Sequence, residues 1–275
     1  MIYLDINNKK IIEGVQNYFY YKFKNKDGKK LNSIDEEDLL EKLQKEEFFN
    51  DIKNIQPKLR ERYDDYKESH PFDKDGIISV IQKGIDENEK RKLNGTETNF
   101  QAEKFYSRYF LVNSIKNTIL GDFIDYEVPL KSIESDDGLG EIDLLSCNKI
   151  TGDAYIIEVK RPDNNERPLR AILESYTYWK LVGGEEPNHF LNNSRAKGAK
   201  SLKKCVMVYY NRNSSIYNSF KIKWDKYYYE LMKKLDIKMF IAITSKEEKE
   251  VSDFFTQKII EVGESFLEAE KELLR

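Results

Sequence analysis

Cysteine and histidine are scarce in this chain, with two of each in 275 residues. Two cysteines, Cys147 and Cys205, exclude a disulfide framework, a zinc ribbon and a four-cysteine iron–sulfur centre. His70 and His189 lie far apart in polar surroundings and are expected to be solvent-exposed, which argues against histidine-based hydrolysis. H-E-x-x-H and G-x-S-x-G are both missing. Gly198-Ala199-Lys200-Ser201 lacks the spacing of a phosphate loop and does not directly follow a strand. No stretch approaches the roughly 20 apolar residues of a membrane span. Met1 runs straight into Ile2-Tyr3-Leu4-Asp5 without a basic and then apolar leader, so a cytoplasmic protein is expected. Internal repeats and low-complexity linkers are also lacking.

What is present is a charged, aromatic-rich chain. Hydrophobic residues make up 39%, aromatic ones 13% and charged ones 35%, enough apolar surface to offset the entropy of folding. The pattern predicts a mainly helical accessory region over residues 1–95. Ser33-Ile34-Asp35-Glu36 forms a capping box ahead of a helix toward Asn50. A second helix starts near Pro57, with Leu59, Tyr63 and Tyr66 at helical spacing, and a third covers Ile77 to Leu93.

Over residues 96–275 the order becomes regular. A long helix is predicted from Asn99 to Leu120, then strands at Tyr126–Leu130, Glu141–Ser146 and Ala154–Lys160, with turn residues between them. A helix follows over Pro168–Val182, with Leu169, Ile172, Tyr176 and Trp179 in one stripe. Next come a strand at Cys205–Tyr210, an aromatic helix near Tyr217–Leu235 and a strand at Met239–Thr244. Ser245 and Glu248 suggest a cap for a final helix through Val251, Phe255, Ile259, Val262, Phe266 and Leu273, a seam suited to a partner helix or a second copy. This order describes an α/β fold with a mixed sheet flanked by helices.

The stretch richest in chemistry is Glu141-Ile142-Asp143 together with Ile157-Glu158-Val159-Lys160. Strand side chains alternate faces, so Glu158 and Lys160 point one way and Ile157 and Val159 the other. If the two strands are neighbours, Asp143 lies beside Glu158, and two carboxylates converge with an ammonium. Adjacent carboxylates repel unless a cation lies between them. Mg2+ or Mn2+ suits such a pair, being held by one or two carboxylates with water and phosphate completing its shell. Such an ion polarises a phosphoryl oxygen and acidifies a bound water, while a nearby lysine assists the attack. An exposed edge-strand ion pair would explain Glu158 and Lys160 equally well; the three-strand run between two helices favours the site.

Asp143 followed by Glu158-Val159-Lys160 resembles the D…(D/E)-x-K core of the PD-(D/E)xK nuclease superfamily, over roughly Thr96 to Thr244. Ile142 stands where the proline of the name is often found. The resemblance implies a restriction-endonuclease-like fold, a metal held by Asp143 and Glu158, water attack assisted by Lys160, and DNA as the partner in a bacterial, phage or mobile-element setting. It also implies a glutamate on the preceding helix, for which Glu103 is the candidate and Glu97 the competitor. Glu174-Ser175-Tyr176-Thr177-Tyr178 is similar to the Q-x-x-x-Y helix of RecB-like nucleases, with glutamate replacing glutamine. Arg170, Glu174 and Tyr178 share a face that could look toward substrate, although a carboxylate at 174 repels phosphate and suits an ion pair with Arg170. Glu141 is a weaker candidate for a secondary ligand than for a solvated strand-start acid.

The net charge of −3 conceals a strong asymmetry. Arg195 to Lys234 holds eleven basic and two acidic residues, a local +9 that leaves −12 elsewhere. Arg195, Lys197, Lys200, Lys203 and Lys204 are therefore expected to follow a phosphate backbone, with most nearby aromatics packed in the core. The alternative is a module that keeps the fold and binds nucleic acid or protein without catalysis.

Overall fold

The computed structural model describes residues 57–63, 73–93, 102–112, 119–130, 140–161, 166, 168–244 and 256–275. Two helices, α1 (Lys74–Leu93) and α2 (Ala102–Val112), precede a mixed six-stranded sheet. β1 (Asp122–Pro129), β2 (Glu141–Asn148) and β3 (Asp153–Lys160) form an antiparallel meander. A crossover through α3 (Pro168–Leu181) and the short α4 (Asn188–Asn192) returns the chain to β4 (Ser201–Tyr209), parallel to β3. A further crossover uses α5 (Ser215–Lys223), a π-helical turn over Trp224–Tyr228 and α6 (Tyr229–Leu235), leading to β5 (Ile237–Thr244), parallel to β4. β6 (Thr256–Val262) pairs antiparallel with β5, and α7 (Phe266–Leu273) closes the chain. Spatial and sequence strand order coincide.

Both faces of the sheet are covered, which explains why β3 and β4 are almost uninterrupted apolar runs. On one face Ile156, Val206, Val208 and Ile241 pack against Ile172, Tyr176, Phe220 and Phe266. On the other, Tyr126, Leu144, Ile157, Val159 and Met207 pack against Tyr106, Tyr109 and Phe110 of α2 and Ile77 and Ile81 of α1. Most aromatics of the basic segment, Tyr209, Tyr217, Phe220, Trp224, Tyr227 and Tyr228, are buried, while Tyr210 and Tyr229 are half-buried. Among the described residues no helix is long and apolar enough to cross a membrane.

Three expectations need correction. The predicted helix from Pro57 does not form over residues 57–63, because their backbone donors are used elsewhere. The amide of Lys58 donates to the Leu181 carbonyl (2.8 Å) and that of Tyr63 to the Asn193 carbonyl (2.9 Å). Tyr63 is buried edge-on against Phe190 while Leu59 is 43% exposed. His189 is half-buried rather than exposed, with Nε2 2.6 Å from the Arg60 carbonyl. The predicted final helix is in fact strand β6 followed by α7 over its described part. The Lys258–Val262 run satisfies its backbone by pairing along β5, and the helix starts at Ser265, whose hydroxyl accepts from the Glu268 amide (3.3 Å). The continuous partner seam is therefore not formed: Ile259 and Val262 belong to a strand, and Phe266 and Leu273 are buried in this chain's own core. The cap at Ser245 lies outside the described residues, as do Val251 and Phe255, Tyr66 and His70, and the helix predicted toward Asn50.

The helix predicted over Asn99–Leu120 is helical over Ala102–Val112, and the chain turns into β1 at Gly121. Gly121 has φ +74, and a Cβ there would collide with the Cys147 carbonyl, so only glycine fits. The described parts of residues 1–95 are built onto the sheet, 57–63 on one face and α1 on the other. Replacing Tyr63 by alanine should therefore cost about 3 kcal/mol of unfolding free energy. Leu59→Ala should cost less than about 0.5 kcal/mol. Urea denaturation of the two variants checks this, and equal losses would show that the segment is not anchored through Tyr63.

Candidate active site

At the C-terminal end of β3 the strand alternation sends Val159 into the α1/α2 core and Glu158 and Lys160 toward α3. The β2–β3 ladder ends at Leu144↔Ile157, so the next step places Asp143 beside Glu158. There the Asp143 carboxylate takes over the work of a ladder carbonyl: its Oδ2 accepts the Val159 amide at 2.8 Å. The strands splay at this point, and two acids from neighbouring strands meet.

Lys160 is buried, its side chain 3% exposed, and its ammonium lies within reach of three carboxylates. Nζ is 2.8 Å from Glu158 Oε1, 2.9 Å from Glu166 Oε2 and 2.9 Å from Glu174 Oε2. Arg170 closes the group, with Nε 2.8 Å from Glu174 and NH1 3.2 Å from Glu166. α3 supplies Arg170, Glu174 and Tyr178 from successive turns of one face. The Tyr178 ring is buried, and its hydroxyl lies where a Cβ on Gly140 would be, so the glycine before β2 (φ +91) lets α3 approach Asp143 closely.

With Asp143, four carboxyl groups gather around the Lys160 ammonium and the Arg170 guanidinium. Burial, and after it the charge of Asp143, pushes the Glu158 carboxyl well above its ordinary value of 4.5. Burial alone would also raise Glu174, but Lys160, the hydrogen bond with Glu158 and Arg170 outweigh it and bring that carboxyl to about 2. Burial raises the Tyr178 phenol well above 10.0, reinforced by Glu158, so it stays protonated.

Comparison with protein-family models, with curated proteins and with solved structures finds no match. The geometry and the sequence therefore carry the functional argument alone.

The structure brings together Asp143, Glu158, Lys160, Arg170, Glu174 and Tyr178. Glu103 is on the first turn of α2; its side chain, and all of Glu97, lie outside the described residues. Its neighbour Lys104 reaches Glu141 (2.8 Å) and the buried Glu127 (3.4 Å), so Glu141 is an ion-pair partner of α2. Glu174 is held by Arg170 and Lys160 and is 5% exposed on its side chain, the ion pair with Arg170 that a carboxylate at 174 suits, rather than an open contact for phosphate. Tyr178 is likewise enclosed.

The basic segment falls elsewhere. Lys200 donates its amide to the Gly152 carbonyl, and Ser201 pairs with Asp153, the first residue of β3, whereas Lys160 is the last. At about 3.3 Å per residue the two ends of β3 are about 23 Å apart. Lys200 and Lys203 thus lie toward the end of the sheet away from Lys160. Lys203 and Lys204 are in β4 rather than a loop, and Lys204 is buried, its ammonium 3.6 Å over the Trp179 ring and 3.7 Å from Asp236. Arg195 is 3.9 Å from the buried Asp125.

One member of the ionic group was not anticipated: Glu166, from the β3–α3 connection. Its sequence signal is the i, i+4 spacing to Arg170, which mimics any helical surface pair.

Among the described residues no group of three or more His, Cys, Asp or Glu side chains is arranged to hold a metal ion. The carboxylates around Lys160 are drawn to its ammonium. Asp143 and Glu158 bring carboxyl oxygens from neighbouring strands to one point, hard donors of the kind that suits Mg2+ or Mn2+.

A raised Glu158 carboxyl means that the folded chain keeps a proton the unfolded chain releases. Stability is then lost as pH rises from the ordinary carboxylate range through the raised value. In chelator-treated buffer, Glu158→Gln should flatten the fall in unfolding free energy as pH rises above the ordinary carboxylate range. Denaturant titrations across that rise check it; an unchanged slope would place the proton on another group.

Proposed function

We propose that the protein is a divalent-metal-dependent nuclease of the PD-(D/E)xK type that hydrolyses DNA phosphodiester bonds. The observation that carries this reading is the meeting of Asp143 with Glu158 at the splayed β2–β3 end, with Lys160 on the same face. The helix–strand–strand–strand–helix–strand order and the mixed sheet flanked by helices support a restriction-endonuclease-like core around it.

Asp143 and Glu158 would hold Mg2+ or Mn2+, which when bound supplies a polarised phosphoryl oxygen and a more acidic water. In the hydrolysis the water oxygen bonds to phosphorus, one P–O ester bond breaks, and the products are a phosphate monoester and a hydroxyl. Lys160 neutralises the charge developing on the phosphoryl oxygens and orients the water. Glu174 is a positioning residue: ionised and buried, it accepts from the Lys160 ammonium at 2.9 Å and holds it along the face of the sheet. Tyr178 sets the distance between α3 and β2.

A second reading, a nucleic-acid-binding module without catalysis, is favoured by one observation: the Lys160 ammonium is already surrounded by carboxylates. Incubation with labelled linear, circular and single-stranded DNA and Mg2+ or Mn2+ separates the two. Wild type should cut, and Asp143→Asn and Lys160→Ala should each lower the rate by at least about 100-fold. Cutting that persists in both variants would remove the site assignment, and binding without cutting under every metal condition would establish the second reading.

A further inference from the structure

Three carboxylates approach the Lys160 ammonium within 2.9 Å; Glu174 accepts a hydrogen bond from it, whereas Glu166 Oε2 makes a close ion-pair contact without good hydrogen-bond geometry. Two of these, Glu158 and Glu174, belong to β3 and α3 and have side chains 6% and 5% exposed. Glu166 differs: it lies between those elements and is 29% exposed. It is also shared. Oε2 is 2.9 Å from Lys160 Nζ while Oε1 is 3.2 Å from Arg170 NH1. One carboxylate thus spans an ammonium and a guanidinium, with one oxygen on each. The two non-bridging oxygens of a phosphodiester make the same bridge between a lysine and an arginine. Arg170 is held from the core side by Glu174 through Nε, and its side chain is 44% exposed, so its outer edge faces the solution from which a polyanion would arrive.

We propose that Lys160 and Arg170 form a subsite for a backbone phosphate of the DNA, and that Glu166 occupies this subsite until the phosphate displaces it. The identity of the ligand rests on the nuclease reading; the displaceable carboxylate rests on the ion-pair geometry alone. Exchanging one anion for another keeps the buried ammonium compensated throughout, which matters because a buried charge stripped of its partner is costly. The same arrangement makes entry selective. An intramolecular carboxylate acts at high effective concentration, so a lone small anion competes poorly, and a polyanion gripped at several phosphates competes well. It also accounts for a lysine that looks fully occupied in a site expected to meet substrate.

The test is binding, read without cleavage. A fluorescein-labelled DNA duplex is titrated with the full chain in EDTA at one fixed salt concentration, and anisotropy gives Kd. Glu166→Gln keeps the size and removes the competing charge, and should tighten binding about tenfold. Asp122→Asn removes the same charge from the opposite end of the sheet, where Asp122 faces Lys149, and should change Kd less than about twofold. In an Arg170→Ala background the gain from Glu166→Gln should vanish. Glu166→Ala should act in the same direction as Glu166→Gln, and a thermal melt verifies that each variant is folded. A Glu166→Gln variant that binds no tighter than Asp122→Asn overturns the proposal. So does a gain that survives without Arg170, and so does failure of every variant to bind DNA. Failure of the nuclease reading looks different: the protein binds, responds to Glu166→Gln as stated, and never cuts. A protein that cuts while Glu166→Gln binds like wild type keeps the nuclease reading and loses the subsite.

Discussion

Lys160 brings a positive charge to the end of a strand that is otherwise apolar, with only 3% of its side chain exposed. A buried ammonium is tolerated only where carboxylates meet it at close range, and the surrounding structure supplies them from three places: the same strand, the following connection and the crossover helix. This requirement makes α3 unusual. Of its fourteen residues only Arg170 is exposed, and it carries the two acid-facing turns that hold Lys160. The crossover helix is therefore bound to the sheet by apolar packing along most of its length and by ion pairing at the strand end.

The second constraint is the separation of β2 from β3 just past Leu144. A ladder that continued would pair the Val159 amide with a carbonyl; here a side-chain carboxylate does so, which leaves Asp143 fixed beside Glu158. Burial, and after it the charge of Asp143, raises the Glu158 carboxyl, so a second negative charge at this point is disfavoured unless a cation or a proton meets it. Gly140 and Tyr178 make the same end of the sheet close-fitting from the α3 side. The paired acids, the ion pairing and the packing are thus parts of one arrangement at one sheet end, while Lys200 and Ser201 lie at the other.

Much of the architecture was legible in the chain. The three strands of the meander, α3, β4 and β5 follow from apolar runs bounded by turn residues, because each is long and strongly patterned. The alternation of Glu158 and Lys160 with Ile157 and Val159 was legible for the same reason. Residues 256–262 were not, since isoleucine and valine spaced along a charged stretch suit a helix seam and an edge strand alike, and the open side of β5 decides between them. Residues 57–63 have helical spacing, yet their amides are drawn to the carbonyls of Leu181 and Asn193, far along the chain. Glu166 is marked only by its i, i+4 spacing to Arg170, which any helical surface pair shares.

Charge clustering in sequence was the least reliable guide to charge clustering in space. The +9 segment is dispersed by its own folding: Lys204 turns inward over Trp179, Lys221 is drawn to Glu270, and Arg195 reaches toward Asp125. By itself the sequence determined which residue types could do chemistry, the order of the elements from β1 to β5, and the shared face of Glu158 and Lys160, all of which depend on local spacing and the periods of strand and helix. Only the tertiary structure decided that Asp143 stands beside Glu158, that Glu166 and Arg170 join them, and that the lysine-rich segment stands apart. Those are contacts across strands and loops, and their register is set by packing and backbone pairing that no local pattern encodes.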